Sequence, residues 1–406
     1  MFIADFHIHS KYSRATSRDM DLEHLAQSAK EKGISLLGTG DFTHPVWFAE
    51  LKKKIQPDEP GIYIYAGLKF ILTTEVCNIF DHQGTMKRIH NIIFLPDLET
   101  AYRLTMKLAA YGSMESDGRP MLQLSADNLV EMVKKVSPEG FVVPAHIWTP
   151  HFSLFGSNSG FNRMEDCFPK NLSEVFSLET GLSSDPEMNW RVSALDRYSL
   201  ISNSDAHSPA KIGREANVFS QPLNYFQIRE VLQTKDKIRF LYTVEYFPEE
   251  GKYHYDGHRL CKSSLPPEEA KVKQNKCPVC GRKVTVGVLH RVIDLADKPD
   301  GRTPENAIPF KRLVPLNQII AVALKKPVDS PAVVEKYQKL TRTVAPEFEI
   351  LLSLPEDEIT NKIDSGIAAA ILAVRKGKVR VEPGYDGEFG KVEIPMEPGA
   401  KQATLF

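Results

Sequence analysis

Long hydrophobic runs are missing from this chain of 406 residues. No stretch of about 18 consecutive apolar residues occurs, so the sequence predicts no membrane-spanning helix. The opening Met-Phe-Ile-Ala-Asp-Phe-His lacks the basic segment, apolar segment and small-residue cleavage site of a secretory signal. Because 42% of the residues are hydrophobic and 25% are charged, the composition is typical of a folded globular protein. We therefore expect a cytoplasmic protein.

The sequence contains few cysteines, and their number is odd. The five cysteines are Cys77, Cys167, Cys261, Cys277 and Cys280, which cannot all pair with one another. In a reducing compartment, clustered cysteines indicate metal binding before disulfides. Cys77 and Cys167 lie apart from the others, and we interpret them as small core residues.

A strong charge of one sign is also absent, since the net charge is −1. The distribution is uneven, however. Residues 251–312 contain 13 Lys and Arg against seven Asp and Glu, a local charge of +6, which leaves −7 for the remainder. A basic segment of this kind favours a polyanionic partner, although a solvated surface explains it equally well.

Short apolar runs alternate with helical patterns from residue 2 to about residue 247, which predicts βα units around a sheet or barrel. We count seven strands in about 205 residues, one fewer than a TIM barrel has. The predicted fold class is α/β, with a seven-stranded sheet or barrel over residues 1–247. The predicted strands lie at residues 2–8, 34–38, 71–74, 89–95, 141–144, 175–178 and 200–202.

Three further segments follow the barrel. Residues 248–296 are polar and rich in Cys and Lys, and we predict a small zinc-binding module there. Residues 297–394 show helical patterns at 316–325, 331–341, 348–354 and 358–376, followed by a hairpin on the Asp386-Gly387 turn. We expect residues 297–394 to form a helical C-terminal region. Residues 395–406 are predicted to be a flexible tail.

Histidines and carboxylates cluster near the ends of the predicted strands, where α/β barrels place their active sites. His-x-His and Asp-x-His place both side chains on one side of an extended strand, because strand side chains alternate. Mixed imidazole and carboxylate ligands suit Zn, Mn or Fe, and more than four ligands imply more than one metal. The predicted ligands are His7, His9, Asp41, His44, Glu75, His90, His146, Asp205 and His207. Any one of these motifs also fits a hydrogen-bonded core or an ordinary turn, and His90 opens its strand instead of ending it.

This ordered set resembles the polymerase and histidinol phosphatase (PHP) superfamily, whose members hold two or three metals in a distorted barrel and hydrolyse phosphate esters. The resemblance implies a first metal shared by His7, His9, Glu75 and Asp205. It also implies a second metal held by Glu75, His90 and His146, and a third bound by His207. Glu75, Asp205 and His207 are then the catalytic residues. The chain departs from the pattern at the third site, where Asp41 and His44 are the available substitutes for a missing histidine.

A second metal motif lies in the basic segment. His258-Arg-Leu-Cys261 and Cys277-Pro-Val-Cys280 form two knuckles separated by 15 residues, which is typical of a zinc ribbon with His in the first place. The module is too short and polar to bury a core, so one structural zinc is predicted to stabilise it. Asp256, His254 and His290 remain alternatives to His258 as the fourth ligand.

The whole chain resembles the endonuclease Q family, DNA repair enzymes of archaea and some bacteria. The resemblance rests on the zinc knuckles, on the segments 144–157 and 178–186, on Asp205-Ala-His-Ser-Pro209 and on Gly384-Tyr-Asp-Gly-Glu-Phe-Gly390. It implies nicking on the 5′ side of uracil, hypoxanthine, xanthine or an abasic site, with two or three divalent metals (Zn, Mn, Fe or Mg). The predicted DNA contacts are the cation Arg14 and the aromatic residues Trp148, Phe152, Phe155 and Trp190, although such aromatics are equally common in cores.

The last five residues, Gln402-Ala-Thr-Leu-Phe406, follow a Pro- and Gly-containing linker. They resemble the Gln-Leu-Ser/Asp-Leu-Phe motif of bacterial repair and polymerase proteins that dock on the DNA sliding clamp, with Ala403 in place of the usual Leu. We therefore predict a clamp partner that contacts Gln402, Leu405 and Phe406. A frayed terminus is the alternative.

Two other functions fit parts of the sequence. A small-molecule PHP phosphatase needs the predicted metal centre but neither the zinc module nor the basic segment. A noncatalytic, clamp-associated DNA-binding accessory protein needs those two features but not the nearly complete ligand set. Both alternatives therefore leave part of the sequence unexplained.

Overall fold

The computed structural model describes residues 1–158 and 160–395, which form seventeen strands and fourteen α-helices. The strands are β1 (Phe2–Asp5), β2 (Leu36–Gly38), β3 (Gln56–Pro57), β4 (Ile62–Tyr65), β5 (Leu68–His82), β6 (Thr85–Leu95), β7 (Met121–Leu122), β8 (Phe141–Pro144), β9 (Ser177–Glu179), β10 (Ser199–Ile201), β11 (Ala216–Phe219), β12 (Phe240–Glu245), β13 (Asp256–His258), β14 (Ser263–Leu265), β15 (Phe310–Arg312), β16 (Arg380–Glu382) and β17 (Lys391–Glu393).

The helices surround and follow these strands. They are α1 (Leu22–Lys32), α2 (Pro45–Lys54), α3 (Leu98–Leu108), α4 (Ala126–Val136), α5 (Met164–Cys167), α6 (Pro186–Asn189), α7 (Tyr225–Thr234), α8 (Pro267–Val272), α9 (Val288–Leu295), α10 (Leu316–Leu324), α11 (Pro331–Thr343), α12 (Glu347–Leu352), α13 (Glu356–Lys362) and α14 (Ser365–Arg375). Among the described residues, no helix has both the length and the hydropathy needed to cross a membrane.

The first βα unit shows how the local sequence determines these elements. All four residues of β1 are buried. Helix α1 begins after Asp21, whose side chain accepts a hydrogen bond from the backbone N–H of His24, and it ends at Gly33, where φ is 81°. The residues Leu22, Leu25, Ala26 and Ala29 form its buried face. The helical spacing of apolar residues in the sequence therefore produces the face of α1 that packs against the barrel.

Seven strands form a ring. The neighbours β1, β2 and β5 are parallel, β6 pairs with β5 and β8, and β9 pairs in parallel with β10. Two backbone hydrogen bonds complete the ring: Ile147 N–H donates to Glu179 O over 3.1 Å, and His9 N–H donates to Ala206 O over 3.0 Å. The seven strands are those predicted from the sequence, and the predicted α/β class with a distorted seven-stranded barrel is confirmed.

One pair of strands departs from the expected parallel units. Strands β5 and β6 form a long antiparallel hairpin in which Cys77 is opposite His90, and β6 is also antiparallel to β8. The beginning of β6 therefore lies at the same end of the barrel as the ends of its neighbours. His90 lies inside β6, not at the start of the strand as predicted, and the antiparallel pairing brings it to the site.

Other strands extend the barrel sheet. Strand β11 pairs antiparallel with β1 and β12, and β15 pairs in parallel with β12, so the chain returns to this sheet after the cysteine-rich segment. The helix expected at 358–376 is two helices, α13 and α14, separated at Ile363-Asp364. The boundaries proposed at residues 247, 296 and 394 remain predictions.

The C-terminal helices are joined to the barrel by a buried ion pair. Lys32 Nζ of α1 lies 2.9 Å from Glu347 Oε2 of α12, and Tyr337 O–H donates to the same oxygen over 2.7 Å. A buried charge is tolerated when it is paired and hydrogen-bonded in this way. The three groups therefore fix α11 and α12 against α1.

The predicted C-terminal hairpin is present. Strands β16 and β17 pair antiparallel, and Tyr385 and Glu388 exchange backbone hydrogen bonds across the turn. Asp386 and Gly387 have φ values of 43° and 92°, which is the conformation that favours an Asp-Gly turn.

Candidate metal centre

Glu75 lies at the centre of the clustered histidines, and its two carboxylate oxygens face different pairs. Oε1 is 2.8 Å from His90 Nδ1 and 3.1 Å from His146 Nε2. Oε2 is 3.3 Å from His9 Nε2 and 3.6 Å from His7 Nε2. A carboxylate with one oxygen toward each of two ligand groups has the arrangement needed to bridge two metals.

Asp205 and His207 complete the cluster next to His9. Asp205 Oδ1 lies 3.0 Å from His9 Nε2 and 3.7 Å from His7 Nε2, and the ring of His207 is 4.6 Å from that of His9. In three groups of residues, the ligand atoms lie within 4.8 Å of one another. The first group is His9, Asp205 and His207, the second is His7, His9 and Glu75, and the third is Glu75, His90 and His146. The structure thus brings together seven of the nine predicted ligands.

The backbone at two of these ligands is strained. The φ angles of His146 and Asp205 are 31° and 46°, in the left-handed region that residues with a Cβ rarely adopt. Such conformations persist only where the surroundings enforce them, and they are common at functional sites.

Asp41 is not a ligand in this arrangement. Its Oδ1 accepts a hydrogen bond from His9 Nδ1 over 3.1 Å, and its Oδ2 accepts from the backbone N–H of Ser10 and from the Ser13 hydroxyl. Both oxygens are therefore occupied by donors, and the prediction of Asp41 as a ligand is corrected to that of a residue that orients His9.

His44 is also displaced from the centre. Its ring stacks on Tyr12 with a centroid distance of 4.6 Å, and in the described part of the chain it joins none of the groups of metal-ligand atoms. The expectation that His44 completes a third metal site is therefore corrected.

Glu179 was not predicted, although it ends strand β9. Its Oε1 accepts hydrogen bonds from His7 Nδ1 over 3.0 Å and from Asn203 Nδ2 over 2.9 Å, and its Oε2 accepts from the backbone N–H of His146 over 2.8 Å. A histidine that donates one ring N–H to a carboxylate presents its other nitrogen to a metal. Its position after an apolar run was the signal available in the sequence.

The buried nitrogen of His7 tests whether metals fit here. Within the described residues, His7 Nε2 has no hydrogen-bond partner. Because Nδ1 donates to Glu179, the lone pair of Nε2 points toward the carboxylates of Glu75 and Asp205, which offer no proton when ionised. A divalent cation satisfies all three groups, so the residues fit the metals that the resemblance implies.

The pKa values of Glu75 and His90 support the same conclusion. Burial raises the pKa of Glu75, but His90, Arg119 and His7 outweigh this effect and hold it well below the ordinary value. Burial lowers the pKa of His90 to about 4. At neutral pH, Glu75 is therefore an ionised carboxylate and His90 a neutral imidazole, which are the forms that bind metals. Burial lowers the pKa values of His7, His9 and His146, but nearby carboxylates outweigh this effect and raise them, so a bound metal would displace protons from these three rings.

The site contains one cation that the sequence analysis missed. Arg119 Nη1 lies 3.1 Å from Glu75 Oε2. Arg119 follows Asp117-Gly118 between α3 and β7, and no ligand-like spacing surrounds it. The pattern of histidines and carboxylates therefore gave no reason to select it.

The centre is open on one side. The side chains of Asp205, His207 and Arg119 are 29%, 28% and 25% exposed, whereas those of His7, His9 and Glu75 are almost completely buried. A substrate therefore approaches past the loop that carries Asp205 and His207.

Three of the aromatic residues predicted to contact DNA are in the core. Trp148 and Phe155 are 1% and 2% exposed and pack on each other at 4.9 Å, and Trp148 Nε1–H donates to Asn189 Oδ1. Trp190 packs edge-on against Phe310. None of the three presents a face to a base, so their predicted stacking role is corrected to a packing role.

Phe152 and Arg14 are accessible. Phe152 is partly exposed, has a φ of 59°, and stacks on His90 with ring centroids 5.0 Å apart. Arg14 is exposed and its Nε lies 3.5 Å from Asp117 Oδ2. Both residues are therefore accessible to a ligand, and their DNA contacts remain predictions.

The cysteine-rich segment has its own ligand group. The side chains of His258, Cys261, Cys277 and Cys280 lie together, with His258 Nδ1 3.5 Å from Cys280 Sγ. Although desolvation opposes it, the backbone N–H groups of the second knuckle lower the pKa of Cys277 to about 6. The four side chains therefore fit a metal that binds thiolate.

The alternative ligands are engaged elsewhere. Asp256 pairs with His290 Nδ1 at 2.6 Å and accepts a hydrogen bond from Gly287 N–H. His254 is buried against Tyr255. Gln402, Leu405 and Phe406, predicted to contact a clamp, lie outside the described residues.

Comparisons with known proteins cover the whole chain. Residues 315–378 match the family model of the MJ0043 C-terminal domain. The uncharacterized protein YqxK of Bacillus subtilis is 28% identical over 410 residues, which cover 96% of this chain and 98% of YqxK. A crystal structure of the lesion-specific endonuclease PfuEndoQ from Pyrococcus furiosus is 33% identical with a TM-score of 0.86, and the alignment covers 98% of this chain and 96% of that one. An endonuclease Q complex with a 27-mer duplex substrate carrying an abasic lesion is also 33% identical, with a TM-score of 0.87 and coverage of 98% and 97%.

The seven-stranded ring and the ligand groups at one of its ends define a metal-dependent phosphoesterase of the PHP type. The two solved endonuclease Q structures are 33% identical to this chain and align with nearly all of it, which identifies the family within this class. The chain belongs to the endonuclease Q family.

Proposed function

We propose that this protein is a DNA repair endonuclease that cuts the phosphodiester on the 5′ side of a deaminated base or an abasic site. The proposed deaminated bases are uracil, hypoxanthine and xanthine. The observation that carries this proposal is Glu75, whose two oxygens face separate histidine pairs in a chain that matches endonuclease Q over nearly its full length.

Two divalent metals fit the proposed centre. His7, His9, Glu75 and Asp205 would hold one, and Glu75, His90 and His146 would hold the other, with His207 beside the first. Bound there, such ions supply a water nucleophile at neutral pH and neutralise the charge that develops on the phosphate oxygens. Zn, Mn, Fe and Mg are the candidates.

The residues of the chain have separate tasks in this proposal. Glu179 and Asp41 fix the tautomers of His7 and His9, so that Nε2 of each faces the centre. Arg119 presents a guanidinium beside Glu75, and this group is suited to bind a nonbridging phosphate oxygen and to stabilise its charge.

Recognition of the lesion requires the nucleotide to leave the base stack, and this costs less at a mispaired or missing base. Phe152 is the accessible aromatic residue next to the centre, and we propose that it packs against the displaced nucleotide or the gap that it leaves. The structural metal of the His258 and cysteine group is proposed to be zinc, since thiolate and imidazole ligands in this spacing suit it.

The direct test uses end-labelled duplexes that carry one uracil, hypoxanthine, xanthine or abasic site, with Mg²⁺, Mn²⁺ or Zn²⁺ supplied in turn. We expect a single nick 5′ to the lesion and no cleavage of the undamaged duplex. Asp205→Ala should abolish nicking while it leaves lesion binding within a few-fold, because binding depends mainly on phosphate and base contacts. Efficient hydrolysis of small phosphate monoesters without nicking of any duplex would instead support a small-molecule phosphatase.

We also propose that Gln402, Leu405 and Phe406 bind a DNA sliding clamp. The support is the sequence of the pentapeptide Gln402-Ala-Thr-Leu-Phe406, which resembles the clamp-docking motif. Deletion of residues 402–406 should abolish clamp binding and leave nicking of free oligonucleotides unchanged, since the motif acts by raising the local concentration on clamp-loaded DNA. Equal clamp binding by the full-length and truncated proteins would contradict this proposal.

A further inference from the structure

A groove of about 860 Å³ begins beside the metal centre. One wall is the loop that follows His207, with Ser208, Lys211 and Arg214. The other walls are α10, the turn after it and the β16–β17 hairpin. The groove therefore runs from the loop that follows His207 to the C-terminal region.

Most of the charged side chains that line this groove are positive. Six cationic and three acidic side chains line it. Lys32 is already paired with Glu347, and burial raises the pKa of the acidic Glu250 to about 7. We call the remaining cations, listed here, the groove cations: Lys211, Arg214, Lys325, Lys326 and Lys391.

Within the described chain, none of the five groove cations forms a salt bridge. Burial and the neighbouring Arg214 both lower the pKa of Lys211, although Asp329 acts in the opposite direction. Asp329 and Glu393 also line the groove, so the five cations outnumber the carboxylates beside them. A polyanion relieves the repulsion that remains among such convergent cations.

Arg214 connects the groove to the metal centre. Its Nε donates to Ser204 O over 2.9 Å, and its Nη2 donates to Asp205 O over 3.4 Å. The same guanidinium thus supports the backbone of a metal ligand and lines the groove. A strand that leaves the metal centre past Asp205 meets this cation first.

An exposed aromatic residue lies at the far side. Phe389 is 69% exposed, and Lys252 Nζ lies 4.5 Å from its ring centroid. It belongs to the turn Gly384–Gly390, which the metal centre does not use. A basic groove with an accessible aromatic face is the combination by which proteins bind nucleic-acid strands.

We propose that the groove cations bind the phosphate backbone of the DNA on one side of the cut, and that Phe389 packs against a sugar or base there. This inference rests on the proposed endonuclease function and specifies where its substrate lies. The occupant is a nucleic-acid backbone, since a row of unpaired cations matches a row of phosphates.

The test compares two charge-matched triple variants. Lys211→Glu/Lys326→Glu/Lys391→Glu reverses three groove cations, and Lys52→Glu/Lys53→Glu/Lys107→Glu reverses three exposed lysines on α2 and α3. Binding to a short undamaged duplex is followed by fluorescence anisotropy at several KCl concentrations. Thermal unfolding is measured for each variant, so that loss of fold is recognised.

We expect the groove variant to bind at least tenfold more weakly, and the slope of log K against log [KCl] to become less steep by roughly 2 to 3. The control should stay within about twofold of wild type. Phe389→Ala should weaken binding roughly fivefold with the salt slope unchanged, and Phe389→Tyr should restore it. Unchanged affinity and slope in the groove variant, or equal losses in both triple variants, would overturn the inference.

These experiments distinguish a failure of the groove assignment from a failure of the endonuclease proposal. If wild type nicks lesion duplexes but the groove variant binds and nicks normally, only the groove assignment fails. If wild type nicks no duplex, the endonuclease proposal fails, and the salt dependence of binding still decides whether the groove cations contact DNA.

Discussion

The imidazole of His7 and the carboxylate of Glu179 are hydrogen-bonded, with His7 Nδ1 3.0 Å from Glu179 Oε1. This contact is buried and joins residues that are 172 positions apart in the sequence. It fixes which ring nitrogen carries the proton and directs Nε2 toward Glu75 and Asp205. The metal centre thus depends on a carboxylate that binds no metal in this arrangement.

Replacement of Glu179 by Gln should weaken metal binding by about 10- to 100-fold. Three donors surround the Glu179 carboxylate, so an amide places one of its own N–H groups against a donor. Metal content after dialysis against a chelator measures the effect, and excess metal should restore part of the nicking. Glu174→Gln, at a partly exposed position near the same strand, is the control. Wild-type metal affinity in Glu179→Gln would show that the contact is not needed to position His7.

Arg119→Ala should lower the rate of nicking by roughly 100-fold, because it removes the guanidinium beside Glu75 that we propose binds the phosphate. Arg119→Lys should recover part of the rate, since it keeps the charge but not the paired N–H groups. Both variants should retain wild-type metal content. Loss of metal together with rate would show instead that Arg119 organises the ligands, most directly through Glu75.

The strand-end histidines were predictable because two simple rules coincide. Side chains alternate along a strand, and the ends of barrel strands form the site. His7 and His9 follow β1, and His146 follows β8. The rules use only the local sequence, which is why these positions could be found without a structure.

These two local rules do not predict that the side chains of Glu75 and His90 lie close together. It depends on an antiparallel register between β5 and β6, in which Glu75 is opposite Ile92 and Cys77 is opposite His90. Register is set by pairing across the whole hairpin and is not visible in either strand alone. Arg119 was missed for a related reason, since its relation to Glu75 exists only in three dimensions.

Residue type alone does not show which aromatic residues are free to contact a ligand. Trp148 and Phe152 are four positions apart in a segment interpreted as a DNA-contacting loop. Trp148 is buried because Asn189, 41 positions away, satisfies its indole N–H. Phe152 remains accessible because its ring rests on His90 at the edge of the centre. Distant partners therefore decide which aromatic residue is free to contact a ligand.

Cys277→Ser should release the metal of the second ligand group and destabilise residues 256–295. The local core there is small, with Leu265, Ala270, Cys277 and Val284, so metal binding contributes much of the folding free energy. His258→Cys keeps four ligands and is expected to retain the metal. Zinc content and limited proteolysis measure both effects. Equal zinc content in wild type and Cys277→Ser would contradict a metal site in this module.

Glu215 and Glu245 form a buried acidic pair beneath the metal centre, next to the paired residues Ala216 and Val244. Burial raises the pKa of Glu245 to about 8 from its ordinary 4.5, although hydroxyl donors such as Thr243 and Ser202 lower it in part. Burial, together with the charge of Glu245, raises the pKa of Glu215 well above its ordinary value. The folded protein therefore holds protons here that the unfolded chain releases above about pH 4.5. Since the folded state binds more protons, the free energy of unfolding falls as pH rises between about 5 and 8.

Glu215→Gln should remove much of this pH dependence, because it removes one of the two carboxyls that stay protonated in the folded state. We expect its Tm to exceed that of wild type by more at pH 8 than at pH 5.5, whereas Glu174→Gln, at a partly exposed site, should follow the wild-type curve. Tm measured by calorimetry across this range tests the prediction. The folded pKa values are raised, so the gain must grow with increasing pH. A gain that is constant from pH 5.5 to 8 would show that both carboxyls keep the same protonation in the folded and unfolded states.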